Sequence, residues 1–421
     1  MKIKTHTLIT SIVFVFSQAL LHGQIPWELS NSGTTLQLNG VDFITQDTGM
    51  VVGQQGLILR TTDGGEVWET VDAGVSTDLN TVRYVSETRV MAVGKAGVVI
   101  RSDDGGETWE EIPLGSSISL NGISIDRTSG KGLISGATLA MLWTADFGET
   151  WSVGMGGYMS DFYKVHMTGG DFGVAFGENS IFQPLLGYTD DSGASFDQWN
   201  FYPKVGSVSN EGQAFDGYFF TKENGFVVGR VWDDQGFITQ EINWSTHAWL
   251  STFVSAALNA IDFNGEEQGV TVGGTTNTWI FLETVDGGFT WEPAVVNGNG
   301  KGFNDVVLVG KTGYAVGYNG QIVKKKVPVS SGVKTEKPVS VRIFPIPAKD
   351  DAVAAIYMDN PGTVKIQVVD ISGRNVLGET IVDIQPGRHY IPLNLGTIPP
   401  GIYICSLDCA GAKATQKFLI Q

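Results

Sequence analysis

An acidic, glycine-bearing turn recurs five times along the 421-residue chain, and this recurrence limits the possible folds more than any other feature. It reads RTTDGGEVWE from Arg60, RSDDGGETWE from Arg101, WTADFGETWS from Trp143, YTDDSGASFD from Tyr188 and ETVDGGFTWE from Glu283. Aligned, the copies place Asp63, Asp104, Asp146, Asp191 and Asp286 at one position and Gly65, Gly106, Gly148, Gly193 and Gly288 two residues later. An aromatic closes each copy: Trp68, Trp109, Trp151, Phe196 and Trp291. A fixed period has to be read before any single motif.

A second marker precedes each box: LNGVDF at Leu38, LNTVRY at Leu79, LNGISI at Leu120 and LNAIDF at Leu258, with weaker forms FYKVHM at Phe162, FDGYFF at Phe215 and FNDVVL at Phe303. Its second residues are spaced by 41, 41, 42, 53, 43 and 45. A Val-Gly step such as MVVGQQGLIL or MAVGKAGVVI follows within each unit. Each unit therefore reads as four short apolar strands separated by glycine and polar turns, which indicates all-β structure. Four strands per period of this length are the signature of a β-propeller blade, and seven markers predict seven blades. The last unit lacks a box, whereas IPWELS from Ile25 places Trp27 where a post-box Trp would stand. This segment is expected to supply the last blade's fourth strand, which removes an open sheet edge.

The box lies between the third and fourth strands, where a hairpin loop is expected. Asp accepts backbone N–H bonds in a turn, Gly supplies positive φ, and the aromatic packs beneath. An EF-hand needs more oxygen ligands and a bidentate Glu at position twelve, which no copy has. One turn also cannot hold two carboxylates apart for glycoside chemistry. The box reads as structural.

The boxes resemble the Asp box, or bacterial neuraminidase repeat, of sialidases and sortilins. Stretches such as GQQGLILRTTDGGEVW at Gly53 resemble more closely the photosystem II assembly factor-like propellers, over roughly Ile25 to Val327. The resemblance implies a seven-bladed propeller with peripheral boxes. A sialidase would carry an Arg-Ile-Pro motif and three convergent arginines. No propeller arginine here sits in such a motif, and Arg60 and Arg101 occupy equivalent positions in neighbouring units.

Other chemistry is sparse. The histidines beyond the leader, His166, His247 and His389, show no zinc-site spacing, so no metal and no cofactor are expected. There is no P-loop and no G-x-S-x-G elbow. The segment Gln24 to Val323 holds 13 Lys and Arg against 36 Asp and Glu, a balance that repels nucleic acid and anionic membranes. Residues 1–23 read as a secretory signal with Lys2 and Lys4 before an apolar run, and no later run is long enough to span a bilayer. The only cysteines, Cys405 and Cys409, lie near the C-terminus, with pairing left open.

Beyond a propeller at 24–327, the polar, proline-bearing stretch 328–340 reads as a linker. Residues 341–421 read as a small β-sandwich-like domain with strands VRIFPI, AVAAIYM, TVKIQVVD, HYIPLNL, GIYICSL and TQKFLIQ. FPIPAKDD at Phe344, VVDISGRNV at Val368 and IPPGIYI at Ile398 resemble the type A C-terminal sorting domain of the type IX secretion system. The matching positions are Pro345 and Pro347, Asp370, Gly373 and Arg374, and Gly401 and Tyr403, with Ile346 where Asn is usual. The resemblance implies the type IX machinery as a partner and a secreted or cell-surface destination.

Departures from the repeat point to where binding would lie, because loops on a rigid scaffold carry function. They cluster in blades four and five: SIFQPLLG at Ser180, NFYPKVGSVSNEGQ at Asn200 and RVWDDQGF at Arg230, with the fifth box replaced by TQEINWSTHAW. Trp232, Asp233, Asp234 and Trp244 are the ligand candidates there, with Arg60 and Arg101 as further candidates. No catalytic residue is assigned. The expected function is a non-catalytic propeller that binds an extracellular protein or ligand; the alternative is a carbohydrate-binding or sialidase-like propeller.

Overall fold

The computed structural model describes residues 25–138, 140–154, 160–200, 204–205, 208–209, 212–222, 224–231, 235–243, 248–288, 290–298, 300–326, 340–344, 348, 351–358, 361–385, 387–409 and 412–420. The leader, residues 328–339 of the linker, Pro345 and Pro347, and the candidates Trp232, Asp233, Asp234 and Trp244 lie outside them; Ser340, placed in the linker by sequence, opens a strand instead. Among the described residues of 27–326, seven sheets carry four or five strands each. Sheet 1 is typical: Leu38–Phe43, Gly49–Gly53, Ile58–Thr61 and Glu69–Val71 pair antiparallel in chain order. The inner strand of each sheet packs on that of the next, and Phe303–Val309 of sheet 7 packs back on Leu38–Phe43 of sheet 1, so the ring closes.

The N-terminal strand, Trp27–Ser30, pairs antiparallel with Ile322–Lys326 and becomes the fourth strand of sheet 7. A short strand, Val296–Asn297, adds to its outer edge in parallel, a fifth strand absent from the repeat. Ser30 then ties sheet 7 to sheet 1: its Oγ donates to Gly65 O at 2.5 Å and accepts from Trp68 Nε1 at 3.0 Å. Tyr314 Oη reaches the same turn, 2.9 Å from Gln46 O and 3.0 Å from Gly64 O.

Apolar clusters lie between neighbouring sheets because alternate strand residues face opposite sides. The box aromatic of each sheet wedges into the cluster shared with the preceding sheet: Trp109 with Met50, Trp151 with Met91, Phe196 with Leu133, Trp291 with Phe226. The box glycine faces the same neighbour. A Cβ on Gly106 would lie 1.4 Å from Met50 Cε, and φ there is +88°.

Register corrects one alignment. In sheet 5, a bulge between Ala214 and Asp216 makes Phe215 the equivalent of Asn39, one residue before the position that spacing suggests. At the C-terminus a three-stranded sheet (Ser340–Phe344, Asp351–Met358, Gly387–Asn394) accompanies a four-stranded one. The latter is ordered Asn375–Ile384, Gly362–Asp370, Gly401–Cys409, Ala412–Ile420. Asn375–Ile384 is missing from the sequence reading. Cys405 and Cys409 are both buried and free on one strand. Four residues of strand separate their Cα atoms by roughly 13 Å, far beyond disulfide reach.

Candidate functional site

Antiparallel order gives the ring two faces. One is the mouth face, where the inner strands begin and the second strand turns into the third. The boxes and the first hairpins lie on the other, the box face. In every box the hydroxyl two residues before the Asp donates to Oδ1 and accepts from the box glycine N–H. Oδ1 also accepts the N–H four residues on, at 2.9–3.0 Å in all five. These bonds hold Asp63, Asp104 and Asp191 below the usual carboxylate range, chiefly through hydroxyl and backbone donors. The carboxylates are thus engaged within their own turns.

Arg60 and Arg101 also bond within the chain. Arg60 Nε donates to Gly105 O at 3.0 Å, and Arg101 bridges Asp103, Glu110 and Glu149. Both reach from one sheet to the box of the next, at the periphery and not at the channel. Arg89, Asp103, Phe147 and Glu149 line a groove of about 350 Å³ beside this network. The strand ends bracketing Trp232 to Asp234 (Val231, Gly236) lie on the mouth face, whereas those bracketing Trp244 (Asn243, Ala248) lie on the box face.

The channel holds charges that the sequence reading did not single out. Because Val41 and Phe43 face the inter-sheet core, the third and fifth marker positions face the axis. Lys164 of sheet 4 reaches Asp216 of sheet 5 at 3.1 Å and Asp305 of sheet 7 at 2.5 Å. Asp216 and Asp305 accept in turn from Ile261 N and Val41 N. One ammonium thus joins sheets across the ring. Burial opposes charge on Lys164, but Asp216 and Asp305 outweigh it and raise its pKa; burial raises Asp216. At the fifth position stand Asp42, Arg83, Ser124, His166, Tyr218 and Asp262. Desolvation pushes Asp262 up to about 7 and His166 down to about 4.

Above this level, the second marker position forms a belt at the mouth. Asn39, Asn80, Asn121, Asn259 and Asn304 each donate Nδ2 to a carbonyl of the next sheet, at 2.7–2.9 Å. Sheets 4 and 5 break the belt with Tyr163 and Phe215, edge-to-face at 5.3 Å. Tyr163 Oη donates to Glu178 Oε1 at 2.5 Å and accepts from Gln213 Nε2 at 2.8 Å. Arg230 Nε donates to Gln213 Oε1 at 2.7 Å, and its guanidinium lies over the Phe215 ring at 5.7 Å. Beside this relay, the turn of sheet 4 exposes Ile181 and Phe182, 62% and 52% accessible, with Phe182 at φ +58°. Trp279 of sheet 6 is 39% exposed on the same face. Gln55, Ala96, Thr138 and Asn319 also take positive φ in the corresponding turns, so the exposed aromatic, and not the backbone, sets sheet 4 apart. Part of the signal for this site was in the sequence, since Tyr163 stands where Asn repeats; Phe215 joins it only through the register of sheet 5.

In the C-terminal domain, Asp370 Oδ1 accepts from Ser372 N, Ser372 Oγ and Arg374 N, and Gly373 takes φ +83°. Tyr403 Oη donates to Pro399 O at 2.8 Å.

Residues 21–128 match the family model of the photosynthesis system II assembly factor YCF48, and residues 342–421 match the secretion system C-terminal sorting domain. No curated protein matches the chain in sequence. A solved structure of YCF48 bound to D1 peptide is 20% identical, with TM-score 0.58, over 74% of this chain and 99% of that one. YCF48 from Cyanidioschyzon merolae is 17% identical, with TM-score 0.52, over 71% and 98%. The RRP9 WD40 repeats, at 9% identity and TM-score 0.54, cover 72% and 100%. The fold class is all-β, of the β-propeller kind. More particularly, the chain carries a YCF48-like propeller followed by a type IX secretion sorting domain. The sorting domain implies export to the outer surface or the medium. Among the described residues no helix is long and apolar enough to cross a membrane.

Proposed function

We propose that this is an exported, non-catalytic propeller that binds an extracellular protein segment on the mouth face of sheets 4 to 6. The observation that carries the reading is the break in the Asn belt. Five sheets use one bond to latch to their neighbour, and the two that do not are those with the longest departures in sequence. Repetition fixes the scaffold, so a local departure with exposed apolar side chains beside it marks a binding region. A peptide is present on a propeller of similar fold, YCF48 bound to D1 peptide, which supports a peptide-like partner at the level of fold alone.

Replacing Tyr163 and Phe215 together by Asn restores the repeat residue at both positions. The double variant is expected to stay folded and to lose the partner recovered from the cell surface with the wild-type chain. Retained binding would overturn the reading. Exposed Phe182 and Trp279 favour glycan recognition as the second reading, since aromatic faces also stack on sugars. A glycan array of the full chain separates the two, and a reproducible glycan hit would replace the protein partner.

A further inference from the structure

The sorting domain has a sheet face whose chemistry changes along its length. In the four-stranded sheet, the side packed on the domain core carries Val364, Ile366, Val368, Cys405, Leu407 and Phe418. The residues between them face outward. The register sorts these into rows. Ile381, Lys365, Asp408 and Lys413 form one row, and Glu379, Gln367, Ser406 and Thr415 the next. The following row joins Asn375, Val369, Ile404 and Lys417, with its two apolar members at the centre, and the last pairs Ile402 with Leu419. The face therefore passes from charged to polar to apolar as it approaches the Asp370–Arg374 turn. At that turn Ile371 is 82% exposed, and Ile402 is 45% exposed beside it. Ile371 faces solvent while the Asp370 carboxylate engages the backbone behind it, so the turn presents an apolar knob on a rigid support. Exposed Lys417 gives the patch a basic edge, whereas Arg374, 79% exposed, pairs its charge with Asp370 at 3.1 Å.

We infer that this apolar end, with Ile371 and Ile402 at its centre, is the surface by which the sorting domain docks on the type IX secretion machinery, against an apolar patch with an acidic rim. Charge complementarity follows from Lys417, and the occupant follows from the family match of residues 342–421. Isolated exposed apolar residues need no explanation, but a contiguous group with a charged rim on an otherwise polar face marks an interaction site.

The test uses the full chain in a bacterium with a functioning type IX system. Ile371→Asp and Ile402→Asp are compared with Ile381→Asp, which is 64% exposed on the same face but in the charged row. Losing one buried isoleucine contact weakens docking by about tenfold or more. The first two variants are expected to accumulate in the periplasm in protease-resistant form, while Ile381→Asp is exported at the wild-type level. A photo-crosslinking residue at position 371 of the otherwise unaltered chain checks this without relying on retention. It is expected to capture a component of the machinery that the same residue at position 381 does not. Equal export of all three variants, equal retention of all three, or capture from position 381 and not from 371 would overturn the inference.

Discussion

Replacing Lys164 by methionine keeps the aliphatic stem and removes the ammonium that joins sheets 4, 5 and 7. The side chains of Lys164, Asp216 and Asp305 are 13%, 10% and 2% exposed, so the variant leaves two desolvated carboxylates without a counter-charge. Breaking a buried ion pair from one side costs about 3–5 kcal/mol. Here the carboxylates keep backbone donors from Ile261, Gly217 and Val41, which places the cost near the lower end, about 3 kcal/mol. For a large domain that lowers Tm by about 6–10 °C. Without Lys164 the pKa of Asp216, already raised by burial, rises further above its unfolded value. The folded state then binds more protons than the unfolded one, and stability falls as pH rises through the new folded value. Thermal melts followed by tryptophan fluorescence should show a large deficit at pH 8 and a smaller one at pH 5. Equal deficits at both pH values would refute the charge argument and leave only lost packing.

Asp262→Asn is expected to match the wild type near pH 4. It should exceed it by about 3–4 kcal/mol at pH 8, because a carboxyl raised to about 7 loses stability as pH climbs from its unfolded value of about 4; paired melts check this. Gly106→Ala forces a Cβ onto Met50 and costs about 1–3 kcal/mol, whereas Gly105→Ala meets only Glu87 O at 3.5 Å and costs about 1 kcal/mol or less. A double-mutant cycle with Met50→Ala should recover part of the Gly106 penalty. Trp27→Ala empties the closing strand's one large buried side chain, 1% exposed and bonded to Glu283, at about 3–5 kcal/mol, readable in urea titrations.

Much of the scaffold was legible because its chemistry is local. The box bonds span two to four residues and recur, so residue types alone point to a turn. The closing strand was legible for a similar reason, since Trp27 repeats a residue the other units already carry. The channel was not, because Lys164 and Asp305 are 141 residues apart and their positions hold different residues in other units. Spacing also misplaced Phe215: every inner strand carries the same bulge, but Ala214 stands where the other sheets have Leu or Phe, so FDGYFF aligns one residue late. The strand Asn375–Ile384 went unread because Gly378, Glu379 and Asp383 dilute its apolar signal. Arg60 and Arg101 are ligand candidates by residue type alone, and only the fold shows them bonded to the neighbouring sheet's box.

The mouth face of sheets 4 to 6 as the binding surface is tested most directly by placing a photo-crosslinking residue at Phe182, on that face, and at Val67, 57% exposed on the box face. Each full-length chain is exported by the producing cells and irradiated in place. The account predicts a discrete cross-linked partner from position 182 and none from position 67. Capture from position 67 alone would contradict it.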